Sequence, residues 1–443
     1  MKNLFSSAAS LLLGETPEAG VNNDARHLLA ELGYAGPAGA EADHETRHRA
    51  RLLTAASRFV RIFELAAPEA PRLVAFGAEI DPAVADALHQ GSPPVSVSGV
   101  GVTMQDAFQG CVGEGVEYLS QLHRARDALI RGDGTAQVAA LDGPTRELVT
   151  ALLPRQGGRL PSWHRAVRLS DQSEVWLPAD LCLRRPPAVQ EFAPPFPLSI
   201  GSAAGTSWEG AALHGLLELI ERDAASLWWH GGKRGSAVPP DVEADTLAIL
   251  RELRAGAPTQ RRSWLLDITT DIGIPAVAAM SCRADGSGFA FGLAARRSVG
   301  QAARSAALEM CQGELASAVV EAKRRERGEA ALNARDHGHL QRAAAIDANH
   351  CALLYPASGA AEHLSIDGAD ASAALHLIVR RLAGMGIETY GLDLTCRSFG
   401  IPVARVIAPA LQAEPSTIVT SRLSGMIART GGGDPFTSGI PLI

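Results

Sequence analysis

The sequence predicts an α+β fold in which long helices pack on antiparallel strands, and three observations support this prediction. Runs with apolar residues at helical spacing alternate along the chain with short strand-like runs. One helical pattern occurs three times, which indicates an internally repeated fold. A strand–turn–strand pattern occurs twice, at residues 264–277 and 390–404. Helices and strands that alternate in this way favour helices laid on sheets.

The first 90 residues are predicted to form a helical N-terminal extension that ends in a strand and a helix. Residues 47–65 place Leu52, Phe59, Ile62 and Phe63 on one apolar stripe at helical spacing. One interpretation of this extension is a docking surface for a partner protein or a leader peptide.

The remaining elements follow from local patterns of apolar and turn residues. Strand patterns occur at residues 73–77, 95–101, 175–181, 264–269, 276–281, 289–294 and 390–395. Helical patterns occur at residues 81–89, 105–126, 208–229 and 371–382, and the third repeat helix follows the strand at 289–294. The proline-rich residues 184–197 are predicted to be irregular, because proline interrupts both helices and strands.

Composition and charge exclude several functional classes. The 443 residues carry 41 Lys and Arg against 48 Asp and Glu, a formal net charge of −7, which argues against nucleic-acid binding. Six scattered cysteines without a Cys-x-x-Cys pair argue against a zinc site and favour a reduced, cytoplasmic protein. No apolar run reaches the roughly 18 residues that span a bilayer, so we expect no membrane segment.

The threefold helical pattern places acidic residues at corresponding positions. In each copy an Ala lies seven residues before a Glu, and an acidic or amide residue lies three residues after that Glu. The three pairs are Glu114 with Glu117, Glu218 with Glu221, and Glu309 with Gln312. Each Glu is preceded, eleven residues earlier, by a hydroxyl residue at the position of a helix N-cap, and these are Thr103, Ser207 and Ser298.

Acidic residues three positions apart lie on one face of a helix. A solvated helix face explains any single pair, because like charges at this spacing cost only a few tenths of a kcal/mol. The second helix, however, has Leu217, Leu219 and Ile220 around its acids, and this apolar character predicts burial. Buried carboxylates need a positive partner, which Arg222 or Mg²⁺ would supply. The repetition therefore favours a site for a metal-bound nucleotide.

The segments that precede two of these helices are rich in glycine. Residues 99–101 and 201–205 lead into helix N-termini, where backbone N–H groups favour phosphate oxygens. The chain has no Walker A, kinase-loop or Rossmann motif, so its nucleotide site is predicted to be of another kind. Without a G-x-S-x-G elbow, covalent hydrolysis has no support from the sequence.

These motifs resemble those of the YcaO family. Residues 202–224, which include a Glu-Leu-Ile-Glu-Arg-Asp block, are similar to the family signature, and residues 98–117 resemble its opening motif. Glu309 and Gln312 resemble its third helix motif, and residues 393–403 resemble its late strand pair. The motifs occur in the order that the family has.

The resemblance implies a domain plan and two cofactors. The expected domains are the N-terminal extension at residues 1–90, a YcaO-like ATP-binding catalytic domain at 91–430 and a C-terminal tail at 431–443. The expected cofactors are ATP and Mg²⁺, used to activate backbone amides of a peptide.

The resemblance also implies roles for individual residues. The residues that match the family's metal and phosphate-site acids are Glu114, Glu117, Glu218 and Glu221. Arg222 matches its phosphate-binding arginine, and Arg222 and Glu221 are the implied catalytic residues. The other implied contacts of the nucleotide pocket are Thr206, Glu209, Glu309 and Gln312. Thr206 stands where the family often has an asparagine.

The implied function is that of an ATP-dependent cyclodehydratase. Such an enzyme converts Cys, Ser or Thr of a ribosomal precursor peptide to thiazoline or oxazoline through a phosphorylated hemiorthoamide, as in bacteriocin maturation. Residues 175–181 resemble a segment of this branch, although the chain lacks its Pro-x-Pro-x-Pro tail. Thioamide formation, amidine formation and a non-catalytic peptide-binding scaffold are the alternatives. The implied partners are the precursor peptide, a leader-binding ubiquitin-activating-like protein and a flavin dehydrogenase, in an oligomeric complex.

Overall fold

The computed structural model describes residues 2–15, 22–34, 43–153, 160–258, 260–366 and 368–442. Its helices are α1 (Lys2–Leu12), α2 (Asn22–Glu31), α3 (His44–Ala56), α4 (Met104–Gln121), α5 (Thr135–Ala139), α6 (Gly143–Leu152), α7 (Ala179–Cys182), α8 (Trp208–Trp229), α9 (Pro240–Leu253), α10 (Val299–Arg327), α11 (Ala334–Ala345), α12 (Ala371–Gly384), α13 (Ser421–Thr430) and α14 (Asp434–Thr437). Its strands are β1 (Arg61–Glu64), β2 (Val74–Ile80), β3 (Val95–Gly101), β4 (Leu129–Arg131), β5 (Ser162–Arg168), β6 (Glu174–Pro178), β7 (Ser202–Ala204), β8 (Arg262–Asp267), β9 (Ala276–Cys282), β10 (Ala290–Ala295), β11 (Tyr390–Asp393) and β12 (Val403–Ile407). Helices and antiparallel strands confirm the predicted α+β class.

Contacts within the chain divide it into two units. Unit 1 consists of Met1–Leu65, Val74–Leu216 and Ala371–Pro409, and unit 2 consists of Ala66–Leu73, Leu217–Asp370 and Ala410–Ile443. The predicted boundaries at residues 90 and 430 remain a prediction. None of the helices in the described ranges combines the length and the apolar character that a bilayer crossing requires.

Unit 1 contains two antiparallel sheets. The smaller has the order β1-β2-β3, and the larger has the order β4-β5-β11-β12-β7, with β6 paired to β5. Helix α4 packs on β3, and Gly99 makes this close approach possible. A Cβ at Gly99 would lie 2.2 Å from the backbone nitrogen of Cys111, so any larger residue would force the helix away from the strand.

An aromatic cluster joins the N-terminal helices to α4. The ring of Phe108 on α4 stacks on Phe5 of α1 at 5.7 Å and meets Tyr34 and Phe76 edge-on at 6.4 Å and 6.2 Å. All four residues are buried. The predicted helical extension is therefore part of the hydrophobic core of unit 1.

Unit 2 contains the antiparallel sheet β10-β9-β8, which places β10 at an edge. Helix α10 packs on β9 and β10, and Gly292 again permits a close approach. A Cβ at Gly292 would lie 2.2 Å from the carbonyl oxygen of Ala306 and from the backbone nitrogen of Met310. Strand β9 is buried at every position, as expected of the central strand of a covered sheet.

Two predicted helices are wrong. The helix predicted at 47–65 ends at Ala56, and the chain then forms β1, in which Ile62 is buried and Phe63 is exposed. All four residues of β1 pair with β2, and this pairing outweighs the helical spacing of the apolar residues. The helix predicted at 81–89 is instead two short 3₁₀ turns, because Asp81 and Asp86 each cap a separate turn.

The helices that carry the repeated acids agree better with prediction. Helix α8 spans residues 208–229 as predicted, and α4 begins near its predicted start but ends at Gln121 rather than at residue 126. Thr103 and Ser298 cap α4 and α10, since their hydroxyls accept from the N–H groups of Asp106 and Gln301. The hydroxyl residues of the repeated motif therefore mark the first turns of α4 and α10, as predicted.

Candidate functional site

Helix α8 brings three of the predicted site residues into unit 2. From Leu217 onward its apolar side chains are buried, and Glu221 is only 5% exposed. Glu218 and Arg222 are partly buried on the same side, one helical turn apart. The burial that Leu217, Leu219 and Ile220 predicted is therefore observed for Glu221 and partly for Glu218.

The edge strand β10 fixes two carboxylates. The N–H of Ala295 donates to Glu221 Oε2 at 3.2 Å, and the N–H of Leu293 donates to Glu309 Oε2 at 3.3 Å. Residues 293 and 295 are two positions apart on the strand, so their N–H groups point in the same direction. An edge strand leaves such groups unpaired, and here the acids of α8 and α10 accept from them.

Arg222 is the positive centre of this cluster. Its Nη2 lies 3.6 Å from Glu218 Oε1 and 3.7 Å from Glu221 Oε1. Burial opposes its charge, but Glu221, Glu218, Glu309 and Glu414 together raise the pKa of Arg222. Its Nε is buried and has no hydrogen-bond partner among the residues that the structure describes. A buried donor without a partner is available to an incoming acceptor such as a phosphate oxygen.

The two acids held by β10 resist ionisation. Burial raises the pKa of Glu221, although the charges of Arg222 and Arg296 oppose this shift. Burial is the larger cause and repulsion from Glu221 the next, and together they raise the pKa of Glu309 to about 8. Neighbouring carboxylates with raised pKa values are typical of sites that bind a cation or transfer a proton.

Charged residues outside the predicted set also act on this cluster. Glu414 contributes to the field at Arg222, and His230 Nε2 lies 3.1 Å from Glu414 Oε1. That contact raises the pKa of His230. Arg296, at the end of β10, is the other missed cation. Neither the repeats nor the family signature includes these positions, so no sequence signal identified them.

Asp223, the last residue of the Glu-Leu-Ile-Glu-Arg-Asp block, has a structural partner. It is fully buried and accepts from Arg422 Nη2 at 2.8 Å and from the N–H of Gln412 at 3.0 Å. Arg422 also donates to Asp271 at 2.7 Å. This ion pair attaches α13 to α8 within unit 2.

Of the other predicted residues, Gln312 lies on α10 in unit 2, and the remaining four lie in unit 1. Glu114 on α4 is exposed and accepts from the N–H of Ser98 on β3 at 2.9 Å. Glu117 is partly buried and accepts from Gln121 Nε2 at 3.0 Å. Thr206 lies exposed in the turn before α8, and Glu209 lies in the first turn of that helix. Their roles in metal or nucleotide binding stay predictions.

The residues of unit 2 fit a Mg²⁺-bound polyphosphate. The donors of Glu218, Glu221 and Glu309 are carboxylate oxygens, which Mg²⁺ prefers, and a cation would relieve the repulsion between Glu221 and Glu309. No group of three or more His, Cys, Asp or Glu in the described ranges is arranged to hold a metal by itself. Mg²⁺ commonly takes one or two carboxylates and completes its shell with phosphate and water oxygens, so a smaller donor set suffices.

Comparison with known proteins defines the class. The model of the YcaO family, described as a cyclodehydratase that binds ATP and Mg²⁺, matches residues 98–412. The chain therefore belongs to the YcaO family, as its motifs predicted. The expectation of ATP and Mg²⁺ as cofactors is confirmed by this description.

Three similar proteins extend this finding. The chain is 33% identical over 135 residues to the "Uncharacterized protein in tfuA 3'region" of Rhizobium leguminosarum bv. trifolii, covering 28% of this chain and 30% of that protein. The fold of the present chain resembles that of a heterocyclase solved with substrate and cofactor. The TM-score is 0.64, with 22% identity over 84% of this chain and 52% of the heterocyclase. The chain also resembles YcaO from Methanopyrus kandleri bound with AMPPCP and Mg²⁺, with a TM-score of 0.53 and 20% identity over 80% and 86% of the two chains. The matched regions thus span about a third of the Rhizobium protein and half of the heterocyclase.

Proposed function

We propose that this protein is an ATP- and Mg²⁺-dependent cyclodehydratase that forms thiazolines or oxazolines from Cys, Ser or Thr of a ribosomal precursor peptide. The observation that carries the proposal is the cluster of Glu218, Glu221, Arg222 and Glu309. It combines a partly buried arginine with carboxylates of raised pKa on the β10 edge. Membership of a family described as cyclodehydratases supports the reaction class.

The residues of the cluster have distinct roles in this proposal. Bound ATP would supply the phosphoryl group that makes an amide oxygen a good leaving group, and Mg²⁺ would offset the phosphate charge. Glu218 and Glu221 would hold the metal. Arg222 would donate to the transferring phosphoryl group, because its Nε is buried and without a partner among the described residues.

The strand β10 keeps the acids in place. The N–H groups of Ala295 and Leu293 hold one oxygen each of Glu221 and Glu309. The other oxygen of each carboxylate, which in Glu221 lies 3.7 Å from Arg222 Nη2, would serve the metal or its water ligands. Groups held by backbone hydrogen bonds lose little freedom on binding. In the same proposal Glu114 and Glu117 bind the metal, and Thr206, Glu209 and Gln312 bind the nucleotide, as their match to the family motifs implies.

The substrate and partners belong to the same proposal. The heterocyclase with a similar fold was solved with a substrate, which is compatible with a peptide substrate here. We propose that a ubiquitin-activating-like protein delivers the leader of the precursor peptide and that a flavin dehydrogenase oxidises the azoline. The complex would be oligomeric and cytoplasmic.

Mass spectrometry tests the proposal. Incubation of the chain, its partner protein, ATP and Mg²⁺ with the precursor peptide should remove one water per ring. Glu221→Gln and Arg222→Gln should abolish both the mass change and ATP consumption. Glu326→Gln serves as control, because Glu326 is exposed on α10. Exchange of oxygen for sulfur in the product would instead identify a thioamide-forming enzyme, and normal turnover by Glu221→Gln would contradict the proposed site.

A further inference from the structure

Unit 2 contains a cavity whose lining includes none of the residues of the acidic cluster. It has a volume of about 320 Å³, the lower end of the range for small-ligand sites. Its lining combines charged, hydroxyl and apolar side chains from α8, α13 and the turns after α8 and β8. The lining residues are Leu227, Lys233, Thr270, Asp271, Ser421, Arg422, Met426 and Arg429.

Lys233 is a charged residue of this cavity for which the structure shows no direct partner. It is partly buried, and its ammonium forms no hydrogen bond or ion pair with any residue of the described ranges. Burial lowers the pKa of Lys233, while the charges of Asp267 and Asp271 oppose this shift. A desolvated cation without a direct partner is unfavourable, so an anion that enters the cavity would restore the lost interaction.

The other cations of the cavity differ from one another. Arg422 is already occupied, because its Nη2 donates to Asp223 and Asp271 at 2.8 Å and 2.7 Å. Arg429 is exposed, and the one contact that the structure gives its guanidinium is Met426 Sδ at 3.7 Å. Lys233 and Arg429 are therefore the two cations of the lining that form no direct ion pair with a carboxylate among the residues described.

The size and charge of the ligand follow from the lining. Two available cations and the nearby carboxylate of Asp271 favour one negative charge over two. The hydroxyls of Thr270 and Ser421 are further donors, and Leu227 and Met426 provide an apolar surface for methylene groups. A carboxylate on a short aliphatic stem has these properties.

We propose that this cavity binds a carboxylate on a short aliphatic stem, as an aspartate or glutamate side chain of the peptide substrate presents, through Lys233 and Arg429. The assignment to a peptide rests on the proposed function. Leu227 follows Glu218 by nine residues, about two and a half turns of α8, so the cavity lies on the opposite face of this helix from Glu218.

Direct binding to the protein tests the cavity without ATP or turnover. The probes are N-acetylglutamate amide, its neutral analogue N-acetylglutamine amide, and inorganic phosphate, each titrated by calorimetry or by NMR. The glutamate probe should bind about tenfold or more tightly than the glutamine probe, because a partly desolvated charged hydrogen bond contributes at least this much. Lys233→Gln and Arg429→Gln should each remove most of this preference.

Controls separate the cavity from general charge effects. Arg325→Gln, an exposed arginine on α10 of the same unit, should leave the affinity for the glutamate probe unchanged. Equal binding of the two amino-acid probes, tighter binding of phosphate, or undiminished binding by Lys233→Gln would overturn the assignment. If the unmodified protein binds the glutamate probe as expected but forms no azoline, the proposed function is rejected and the assignment of the cavity stands.

Discussion

The β3–α4 segment of unit 1 and the β10–α10 segment of unit 2 have the same local construction. In each, a hydroxyl residue caps the helix, Thr103 in one and Ser298 in the other. In each, the N–H of an edge-strand residue donates to a glutamate 16 positions later. Both strands also contain a glycine whose missing side chain lets the helix backbone approach. The two segments therefore place a carboxylate in the same way.

The surroundings of the two carboxylates differ. Glu114 is exposed on α4. Glu309 instead lies close to Glu221, Arg222 and Arg296 and has a pKa raised to about 8. The second residue of the motif differs too, since Glu117 corresponds to the neutral Gln312. Local sequence thus sets the position of each acid, and the neighbouring helix sets its chemistry.

The largest expected effect concerns the shared glycines. Gly99→Ala and Gly292→Ala should each lower the free energy of unfolding by about 3 kcal/mol, because the new Cβ overlaps helix backbone atoms that cannot move alone. Gly113→Ala on α4 and Gly300→Ala on α10 are the matched controls, since a Cβ there meets nothing within 4 Å. Urea unfolding measures all four variants. If the Gly99 and Gly292 variants match their controls, the common construction is disproved.

The second prediction tests whether the surroundings of Glu309, unlike those of Glu114, make the stability of the fold depend on pH. A carboxyl whose folded-state pKa is raised from 4.5 to about 8 gives stability that is present below pH 4.5 and lost as the pH rises towards 8. Glu309→Gln removes this loss and should raise the Tm by roughly 5 °C at pH 9, with little change at pH 4. Glu114→Gln is the matched variant from unit 1, and thermal unfolding at both pH values measures the pair. An equal response of the two variants would contradict the distinction.

The third effect concerns the origin of the raised pKa. Repulsion from Glu221 is the cause second to burial at Glu309, so Glu221→Gln should lower the pKa of Glu309 below about 8. Carboxyl-labelled glutamate and NMR titration would follow this pKa directly. Glu326→Gln, a change of equal charge on the same helix as Glu309, should leave it unchanged. An unshifted pKa in Glu221→Gln would assign the whole effect to burial.

The smallest effect concerns the helix caps. Thr103→Ala and Ser298→Ala should each cost about 1 kcal/mol of stability, since each removes an acceptor for one N–H of the first turn. Chemical unfolding would compare them with Thr103→Ser and Ser298→Thr, which keep the hydroxyl and should cost less. A loss confined to one of the two alanine variants would break the similarity of the segments.

Local signals were sufficient for much of the fold. The bounds of α8, the caps of α4 and α10, and β3 follow from residues that lie within a few positions of one another. The prediction at 47–65 failed because the pairing of β1 with β2 determines the structure after Ala56. That pairing joins residues separated along the chain, and helical spacing contains no information about it.

The site shows the same limit. Glu218, Glu221 and Arg222 share one helix, so the motif identified them together. His230 follows the end of α8, Arg296 follows β10, and Glu414 lies near the end of the chain. Their charges act on one another or on the cluster only in the folded chain. The same holds for Arg422, whose partner Asp223 stands in the recognised block while the arginine itself lies 199 positions further on.

The stacking of Phe5 on Phe108 has a practical consequence for work with shortened chains. Removal of residues 2–12 would leave one face of Phe108 uncovered, next to Tyr34 and Phe76. Solvent-exposed aromatic faces of this kind promote self-association, so preparations that lack α1 should precipitate more readily than the intact protein.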